Sequence, residues 1–530
     1  MFTNKKSLLA LSVASVFALS GCGSDNDGNE PDEPVTPPVV VVPPEAPSEL
    51  ALVVSADVVD ITTQDVIAAT VSFLENGSTA TNIVDVDGNV LTTVNAEDGS
   101  VLFTKKADST IEQVTVKVTA EGYIGKSFIV DLATDTDQEE ILAQFDLTAK
   151  NAEGVSDVEV TSSVEGGTTS DEIIASTADG KSAASASIVA GVQLFDANDE
   201  PVSGEVTLNV TGADSSTSSA AAIVPAGIND ADADSVVKPV GVANVTMVNA
   251  DGDKVKSFSN DISVTMSIPA STMINGEAIE TGDMLELSSH DEDTGQWTKE
   301  TNMVTVGALN TESNTYTGTF ETNHLTFFAA TGDIAVCTAG VSIATSGDAV
   351  PPSGLGVNLA SSDASTTGFI RASASNNTII SPGLTKIYAI SSEATARVRV
   401  AGFNGQLWFD SVSEVPICGS VPVTLENPTT TVVEEDFTVT AACSDGTAVD
   451  MTNAVVRYSL GNKRKVPASG FGSGTFALTN LVGGETYNVA VNARIPLTTG
   501  GTSATTTITA DGTAESIALI AQCEESTGGN

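Results

Sequence analysis

The chain has 530 residues and carries 21 Lys plus Arg against 69 Asp plus Glu, so its net charge is −48. So few cations cannot neutralise a row of phosphates, which excludes a nucleic-acid partner. There are only two histidines, His290 and His324, which argues against a zinc hydrolase or a Ser-His-Asp enzyme. Hydrophobic residues make up 41%, enough for packed cores, and at roughly 150 residues per domain we expect three or four domains.

The N-terminus reads as an export signal. Lys5 and Lys6 precede an apolar run over residues 8–19, too short to span a bilayer permanently. The run ends in Leu19-Ser20-Gly21-Cys22, which resembles a bacterial lipobox. The resemblance implies a signal peptide over residues 1–21, cut before Cys22, and acyl chains such as palmitate on Cys22. An ordinary secretory signal is the alternative. Gly23, in place of the Asp that retains many such lipoproteins, favours a lipid-anchored outer-membrane position, at the cell surface or facing the periplasm.

Residues 22–48 form a predicted tether. Residues 24–30 are polar and acidic, and the prolines around residues 39–42 favour an extended, polyproline-like chain. We therefore expect this segment to be disordered and to hold the folded part away from the membrane.

The remaining chain shows short runs of alternating apolar residues, separated by Asp, Asn and Gly, and no sustained helical period. This pattern predicts an all-β chain of tandem Ig-like β-sandwich modules. We place the modules at residues 49–149, 150–335, 336–418 and 419–527. Within them, residues 85–89, 96–99 and 197–201 are predicted turns, residues 188–196 a strand, and residues 215–234 a mobile loop.

Three modules resemble known sandwiches. In the first, the Asp98-Gly99 turn and the later strand ending in Gly122-Tyr123 resemble carboxypeptidase-regulatory-like and bacterial Ig-like domains. In the fourth, residues 481–491 resemble a fibronectin-type pattern, which implies that the Tyr487 hydroxyl bonds to a backbone group. The strand order of the second module resembles ZU5 and GAIN domains. None of these fold likenesses implies turnover chemistry.

The segment Asn323-His324-Leu325-Thr326 resembles the self-cleaving segment of GAIN domains. The resemblance implies that the Thr326 hydroxyl attacks the Leu325 carbonyl with His324 as base. The GAIN framework of cysteines and tryptophans is absent around it. The alternative is a plain strand in which Leu325, Phe327 and Ala329 point inward.

Four cysteines remain after Cys22, and four allow three pairings. We favour Cys337–Cys418 and Cys443–Cys523, because each pair would close one C-terminal module. No closely spaced Cys or His set suggests a metal site.

Charged clusters leave alternatives open. Acidic runs at residues 135–137, 230–234, 251–253 and 291–293 are either solvated turns or weak calcium sites. The basic run Lys463-Arg464-Lys465 is either a hairpin loop or a patch for an anionic glycan or acidic partner. Trp408 is either a core residue or a platform for a sugar.

Taken together, these features predict a non-enzymatic envelope protein without a dedicated cofactor. Its partners would be the membrane, through the lipid, and a protein or glycan ligand, as in adhesion. A structural or assembly partner of an envelope complex is the alternative.

Overall fold

The computed structural model describes residues 39–133, 140–178, 180–229, 235–274, 276–362, 365–370, 378–379, 390–428, 431–470 and 472–527. The predicted signal peptide, Cys22, the first part of the tether and the acidic runs 135–137 and 230–234 lie outside these residues. The described chain is built from strands in several sheets, with one short helix among them, so the all-β prediction is confirmed.

The end of the tether is extended, but it is paired. Strand β1 (Val39–Val42) runs antiparallel to the last strand, β41 (Glu524–Thr527). The segment is therefore a sheet strand rather than polyproline II. Further contacts follow, since Asn453 Nδ2 donates to the Pro47 carbonyl at 2.9 Å and Arg494 Nη1 donates to the Ser48 carbonyl at 2.6 Å. The tether thus meets the fourth module before the first module begins.

The first module packs two sheets face to face. One has the order β10-β2-β7-β5, and the other β4-β3-β8-β9 with β6 also on β3. Val114, Val116 and Val118 alternate inward along β8, as the period of two predicts. The strands are β2 (Val53–Asp60), β3 (Ala69–Glu75), β4 (Ser78–Thr79), β5 (Ile83–Val84), β6 (Thr93–Ala96), β7 (Ser100–Lys105), β8 (Gln113–Thr119), β9 (Lys126–Asp131) and β10 (Glu140–Leu147).

One type of hairpin loop occurs three times in the part of the chain that the structure describes, and side-chain chemistry explains it. Asp85, Asp196 and Asn249 each begin a five-residue loop, and the side-chain oxygen of each accepts the backbone N–H groups two and four residues later. The fourth position has positive φ, as at Gly88 and Gly252. An Asx side chain followed by a residue that tolerates positive φ is sufficient for this turn. The turns predicted at residues 85–89 and 197–201 are confirmed.

The second module is dominated by an eleven-stranded sheet in the order β11-β15-β16-β23-β20-β21-β22-β17-β13-β12, with β14 on β17. The sheet curls over its own core, because Ser156 Oγ, on edge strand β11, lies 2.6 Å from Ser182 Oγ beside the opposite edge. The elements are β11 (Val155–Val164), β12 (Ile173–Ser176), β13 (Ala184–Ile188), β14 (Leu194–Phe195), β15 (Gly204–Ala213), α1 (Ser218–Ile223), β16 (Ser235–Asn249), β17 (Ser257–Pro269), β18 (Met273–Ile274), β19 (Glu277–Ala278), β20 (Met284–Asp291), β21 (Gln296–Asn310), β22 (Thr315–His324) and β23 (Phe327–Ala335).

Two local predictions in this module are wrong. The strand predicted at residues 188–196 is interrupted between β13 and β14, where Gly191 has a φ of 87°. The loop predicted at residues 215–234 contains helix α1. Thr217 caps that helix by accepting the Ser219 N–H at 3.3 Å, and Ala220, Ala222 and Ile223 are buried.

The third module contains a sheet in the order β27-β24-β31 and another in the order β26-β25-β28-β29, with β30 also on β28. The Cys337–Cys418 disulfide is formed, and β31, which follows Cys418 directly, runs parallel to β24. The strands are β24 (Val341–Gly347), β25 (Leu355–Ala360), β26 (Ser365–Ile370), β27 (Thr378–Ile379), β28 (Thr395–Ala401), β29 (Leu407–Asp410), β30 (Val415–Pro416) and β31 (Gly419–Leu425).

The fourth module packs the sheet β33-β32-β37-β36, with β40 also on β32, against β35-β34-β38-β39. The Cys443–Cys523 disulfide is formed. The Tyr487 hydroxyl accepts the Val482 N–H at 2.8 Å, as the fibronectin-type pattern predicts. The strands are β32 (Val432–Ala442), β33 (Ala448–Val449), β34 (Val455–Leu460), β35 (Val466–Pro467), β36 (Ser469–Gly470), β37 (Thr475–Val482), β38 (Thr486–Asn492), β39 (Ser503–Thr509) and β40 (Glu515–Ile520).

The fourth module contacts the first through the basic run. Lys463, Arg464 and Lys465 lie in the hairpin between β34 and β35, so the hairpin prediction is confirmed. Lys463 Nζ lies 2.6 Å from Asp65 Oδ1, and Lys465 Nζ bonds to Asp98. Two of the three cations are therefore neutralised by carboxylates of the first module.

Arg464 is the buried member of this hairpin. Its side chain is 7% exposed, and its Nε lies 3.6 Å from Oδ2 of Asp57, which is 2% exposed. Its guanidinium carbon lies 4.8 Å from the ring centre of Phe369 and 4.9 Å from that of Phe403, both in the third module. Burial raises the pKa of the Asp57 carboxyl, while Arg464 and Arg457 act to lower it. One cation thus joins three modules.

Replacing Arg464 by Met should destabilise the docked modules strongly, because it leaves the Asp57 carboxyl buried without its nearest cation. Loss of one partner of a buried pair costs about 3–5 kcal/mol, whereas an exposed pair contributes under about 1 kcal/mol. The control is Arg397→Met, since Arg397 forms an exposed pair with Asp410 at 2.6 Å. Urea unfolding followed by circular dichroism measures both. Equal unfolding midpoints for the two variants would contradict the role given to Arg464.

Candidate functional site

The GAIN-like segment lies at a corner between two strands. Strand β22 ends at His324 and β23 begins at Phe327, and these strands pair with different neighbours. The predicted inward alternation is wrong, because Leu325, Thr326, Phe327 and Phe328 are all buried. Both faces of β23 are covered: Phe328 packs into the core of the second module, and Phe327 packs into a cluster that includes helix α1 and Ile124 of the first module.

The side chains needed for self-cleavage have other partners. The Thr326 hydroxyl donates to the carbonyl oxygen of His290. Nδ1 of His324 lies 3.1 Å from Thr322 Oγ1, and Nε2 lies 3.4 Å from Glu300 Oε1. A base for Thr326 would need a free ring nitrogen beside that hydroxyl. His324 and Thr326 are two residues apart in the sequence, but no hydrogen bond joins their side chains in the structure.

The contacts of His324 form a short polar chain. Thr322, His324 and Glu300 are linked as above, and Ser289 donates to the same Glu300 oxygen. Hydroxyl, imidazole and carboxylate in a row are the groups of nucleophilic catalysis. Thr322, however, is only 4% exposed, so a substrate cannot reach its hydroxyl. The arrangement braces strands β20, β21 and β22.

His290 is buried without a hydrogen-bond partner on either ring nitrogen in the described chain. It packs on Trp297, with ring centres 5.2 Å apart. Burial lowers the pKa of His290 to about 4, with Asp291 acting to raise it and Lys117 to lower it further. The imidazole is therefore neutral at physiological pH. Sequence reasoning had no signal for this burial.

The acidic runs that lie in the described residues have structural partners. Asp251 and Asp253 lie in the recurrent hairpin loop, where their backbone N–H groups donate to Asn249 Oδ1 and where Asp253 Oδ2 accepts from Asn249 Nδ2 at 3.0 Å. Asp293 bonds to Lys256 and lies near Lys254 and Lys117. Within the described ranges, no three His, Cys, Asp or Glu side chains are grouped as metal ligands. Weak calcium binding stays a prediction.

Trp408 belongs to the core of the third module and is 4% exposed, so it is a core residue and not a sugar platform. Within the described residues, no helix is both long and apolar enough to cross a membrane.

A cleft of about 140 Å³ opens where the first, third and fourth modules meet. Its floor is the outer face of strands β25 and β28, where Asn358 lies opposite Arg399 and Gly356 lies opposite Ala401. The buried Arg464 side chain forms the base. A Cβ on Gly356 would lie 3.5 Å from Arg464 Nη1, so the small floor residues leave room for the guanidinium.

One wall of the cleft is the loop at residues 61–64, which the first module holds firmly. Asp60 Oδ1 accepts the N–H groups of Thr62 and Thr63 at 2.7 and 2.8 Å, and the Tyr123 hydroxyl donates to Asp60 Oδ2 at 3.0 Å. Gln144 Nε2 donates to Gln64 Oε1 at 3.0 Å. Hydroxyl and amide groups therefore face the cleft from a fixed loop. This cleft is the candidate binding site.

Most residues of this site could not be recognised from the sequence. The sequence did indicate Arg464 as a candidate, because it lies in the basic run for which a patch that binds an anionic glycan was one of the two interpretations. It did not indicate Asn358, Arg399 or the loop at residues 61–64, since their modules are far apart in the chain. Only the docking of three modules brings them together.

Comparisons with known proteins add little. Neither a protein-family model nor a curated protein matches the chain. Among solved structures, the Bacillus anthracis TIE protein matches at 10% identity and a TM-score of 0.14, over 71% of this chain and 59% of that one. A streptococcal ancillary pilin matches at 12% and 0.15, over 46% and 93%. The major pilin SpaD of Corynebacterium diphtheriae matches at 10% and 0.14, over 89% and 97%. Likenesses this weak carry no argument about function.

We expect the mature protein to remain one chain. Because the Thr326 hydroxyl donates to the His290 carbonyl and both ring nitrogens of His324 face other groups, His324 does not activate the hydroxyl for attack on the Leu325 carbonyl. Intact-mass spectrometry of the denatured protein should show a single species. A fragment that begins at Thr326 in the wild type and is lost in Thr326→Val would contradict this expectation.

Acid should destabilise the protein through His290. The folded-state pKa of about 4 lies below the ordinary histidine pKa of 6.5, so the unfolded state binds more protons between these two pH values. The contribution of His290 to the free energy of unfolding is therefore fully present above about pH 6.5 and is lost as the pH falls toward 4. The loss is on the order of 3 kcal/mol. Urea unfolding followed by tryptophan fluorescence measures it. The His290→Phe variant should show a shallower pH slope in this window, and equal slopes would contradict the prediction.

Proposed function

We propose that the chain is a non-enzymatic, lipid-anchored protein of the bacterial cell envelope that binds a protein or glycan outside the membrane, as in adhesion. The observation that carries the proposal is the order of the sequence: a basic and apolar leader ends in Leu19-Ser20-Gly21-Cys22, directly ahead of the tether and the β modules. A lipid on Cys22 would hold the modules at the membrane, and several acyl chains anchor more stably than one.

Two features support export and display. The disulfides Cys337–Cys418 and Cys443–Cys523 belong to an oxidising compartment outside the cytoplasm. The cleft between three modules offers a fixed polar site for a ligand. An outer-membrane position at the cell surface is part of the proposal, and weak calcium binding by the acidic loops would be an accessory to it.

A second candidate function is that of an assembly partner in an envelope complex. Among the strands that the structure describes, β39 (Ser503–Thr509) pairs only with β38 and lies at the edge of its sheet. It contains no charged residue and no proline, and Thr505, Thr507 and Thr509 are exposed. Exposed sheet edges usually carry charged residues or prolines, which prevent pairing with another chain. An edge strand that lacks them favours the addition of a strand from a partner protein.

Metabolic labelling with an alkyne fatty acid tests the anchor. The wild type and the control Ser24→Ala should be labelled and remain with the membrane, whereas Cys22→Ser should be unlabelled and released, because it lacks the thiol that is acylated. An unlabelled, released wild type would refute the proposal.

Protease treatment of intact cells then separates the two candidate functions. Cleavage of the β modules on intact cells supports binding at the surface. Cleavage only after permeabilisation supports an assembly role that faces the periplasm, and it overturns the surface position.

A further inference from the structure

We propose that the cleft between the first, third and fourth modules binds a uronate, a sugar ring with one carboxylate, as the terminal residue of an acidic glycan. The inference rests on the proposed binding function and names its ligand class. It is carried by the geometry of the cleft and by two arginines that line it, Arg399 and Arg464.

The charged groups favour a carboxylate. Arg464 is buried, and within the described residues its Nε has no hydrogen-bond partner, since the nearest oxygen of Asp57 is 3.6 Å away. Arg399 is half exposed at the mouth, and its Nε lies 3.6 Å from Asp410 Oδ2, also beyond hydrogen-bond distance. Guanidinium groups bind carboxylates through charge-assisted hydrogen bonds. Arg399 can therefore receive a ligand carboxylate without breaking a short ion pair.

The remaining lining favours a sugar ring over a simple organic acid. Thr62, Thr63 and Gln64 face the cleft from the first module, and Asn358 faces it from the third. These side chains match the hydroxyl groups of a pyranose. Phe403 and Leu407 add apolar surface for the C–H groups of the ring. Polar groups that converge beside a small apolar surface are typical of small-ligand sites.

The size and opening of the cleft favour one terminal residue. The cleft holds about 140 Å³, which is small against the usual range of about 300–1,000 Å³ for drug-sized ligands. Its base is the buried Arg464, and its mouth is lined by exposed residues, with Leu407 39% exposed. A glycan chain would therefore enter by its end, with the rest of the chain outside.

The chain supplies a matched control. Arg397 and Arg399 lie two residues apart on the same face of β28, both side chains are 46% exposed, and both face Asp410. Only Arg399 lines the cleft. A difference between variants at these two positions therefore reports the cleft and not the general charge of the surface.

The test is ligand-observed saturation-transfer NMR on the full mature protein in detergent, with glucuronate, glucose and acetate as probes. Glucuronate should bind with a dissociation constant in the millimolar range, and glucose and acetate about ten-fold or more weakly. Arg399→Ala should weaken glucuronate binding about ten-fold or more, because a charge-assisted hydrogen bond is lost, while Arg397→Ala should change it less than about two-fold.

Several results would overturn the proposal. No glucuronate signal removes the site, and equal loss in the two arginine variants shows only general attraction to the surface. Acetate binding as tight as glucuronate shows a carboxylate site without sugar recognition, and glucose binding as tight shows a neutral-sugar site. The result is independent of the anchor, because fatty-acid labelling tests Cys22 whether or not the cleft binds a uronate.

Discussion

The burial of one guanidinium, that of Arg464, is the interaction on which the arrangement of the modules depends. A cation removed from water loses several kcal/mol of solvation, and only well-placed partners offset this loss. Here the partners come from elsewhere in the chain, with Asp57 in the first module and Phe369 and Phe403 in the third. Because no single module supplies all the partners of the Arg464 guanidinium, its burial requires that the three modules are docked together. The cleft exists only in that state.

The scarcity of cations makes their positions informative. A net charge of −48 makes the acidic surfaces of neighbouring modules repel one another, over a screening length of about 8 Å at physiological salt. Several of the 21 Lys and Arg residues lie where modules meet: Lys117 pairs with Asp293 between the first and second modules, and Lys463 pairs with Asp65 between the first and fourth. Cations at these junctions oppose the repulsion at its shortest distances. The charged residues that line the cleft, Arg399 and Arg464, are both cations, which suits an anionic ligand.

Features set by local chemistry could be predicted, and features set by docking could not. The loop at residues 85–89 follows from one Asp side chain and a glycine, and the hydroxyl contact of Tyr487 follows from its fixed place in a strand pattern. The burial of both faces around Phe327 and Phe328 depends on helix α1 and on Ile124 from another module. The alternation of apolar residues along one strand does not show whether another element covers its second face. The prediction that Thr326 lies on an outward face was therefore wrong. The cleft was invisible for the same reason, since Asn358 and Gln64 belong to different modules.

A ligand that touches three modules would also change their stability together. Binding to the docked state alone shifts the equilibrium toward that state by RT ln(1 + [L]/Kd), so occupancy of the cleft would strengthen the docking that forms it. The tether meets the boundary between the first and fourth modules, because Arg494 of the fourth module donates both to the Ser48 carbonyl and to the Val86 carbonyl of the first module. With a lipid on Cys22, tension from the membrane would reach the fourth module directly, not only through the first. Ligand binding in the cleft would then oppose the separation of the first and fourth modules under that tension, which is the property that attachment through a short tether requires.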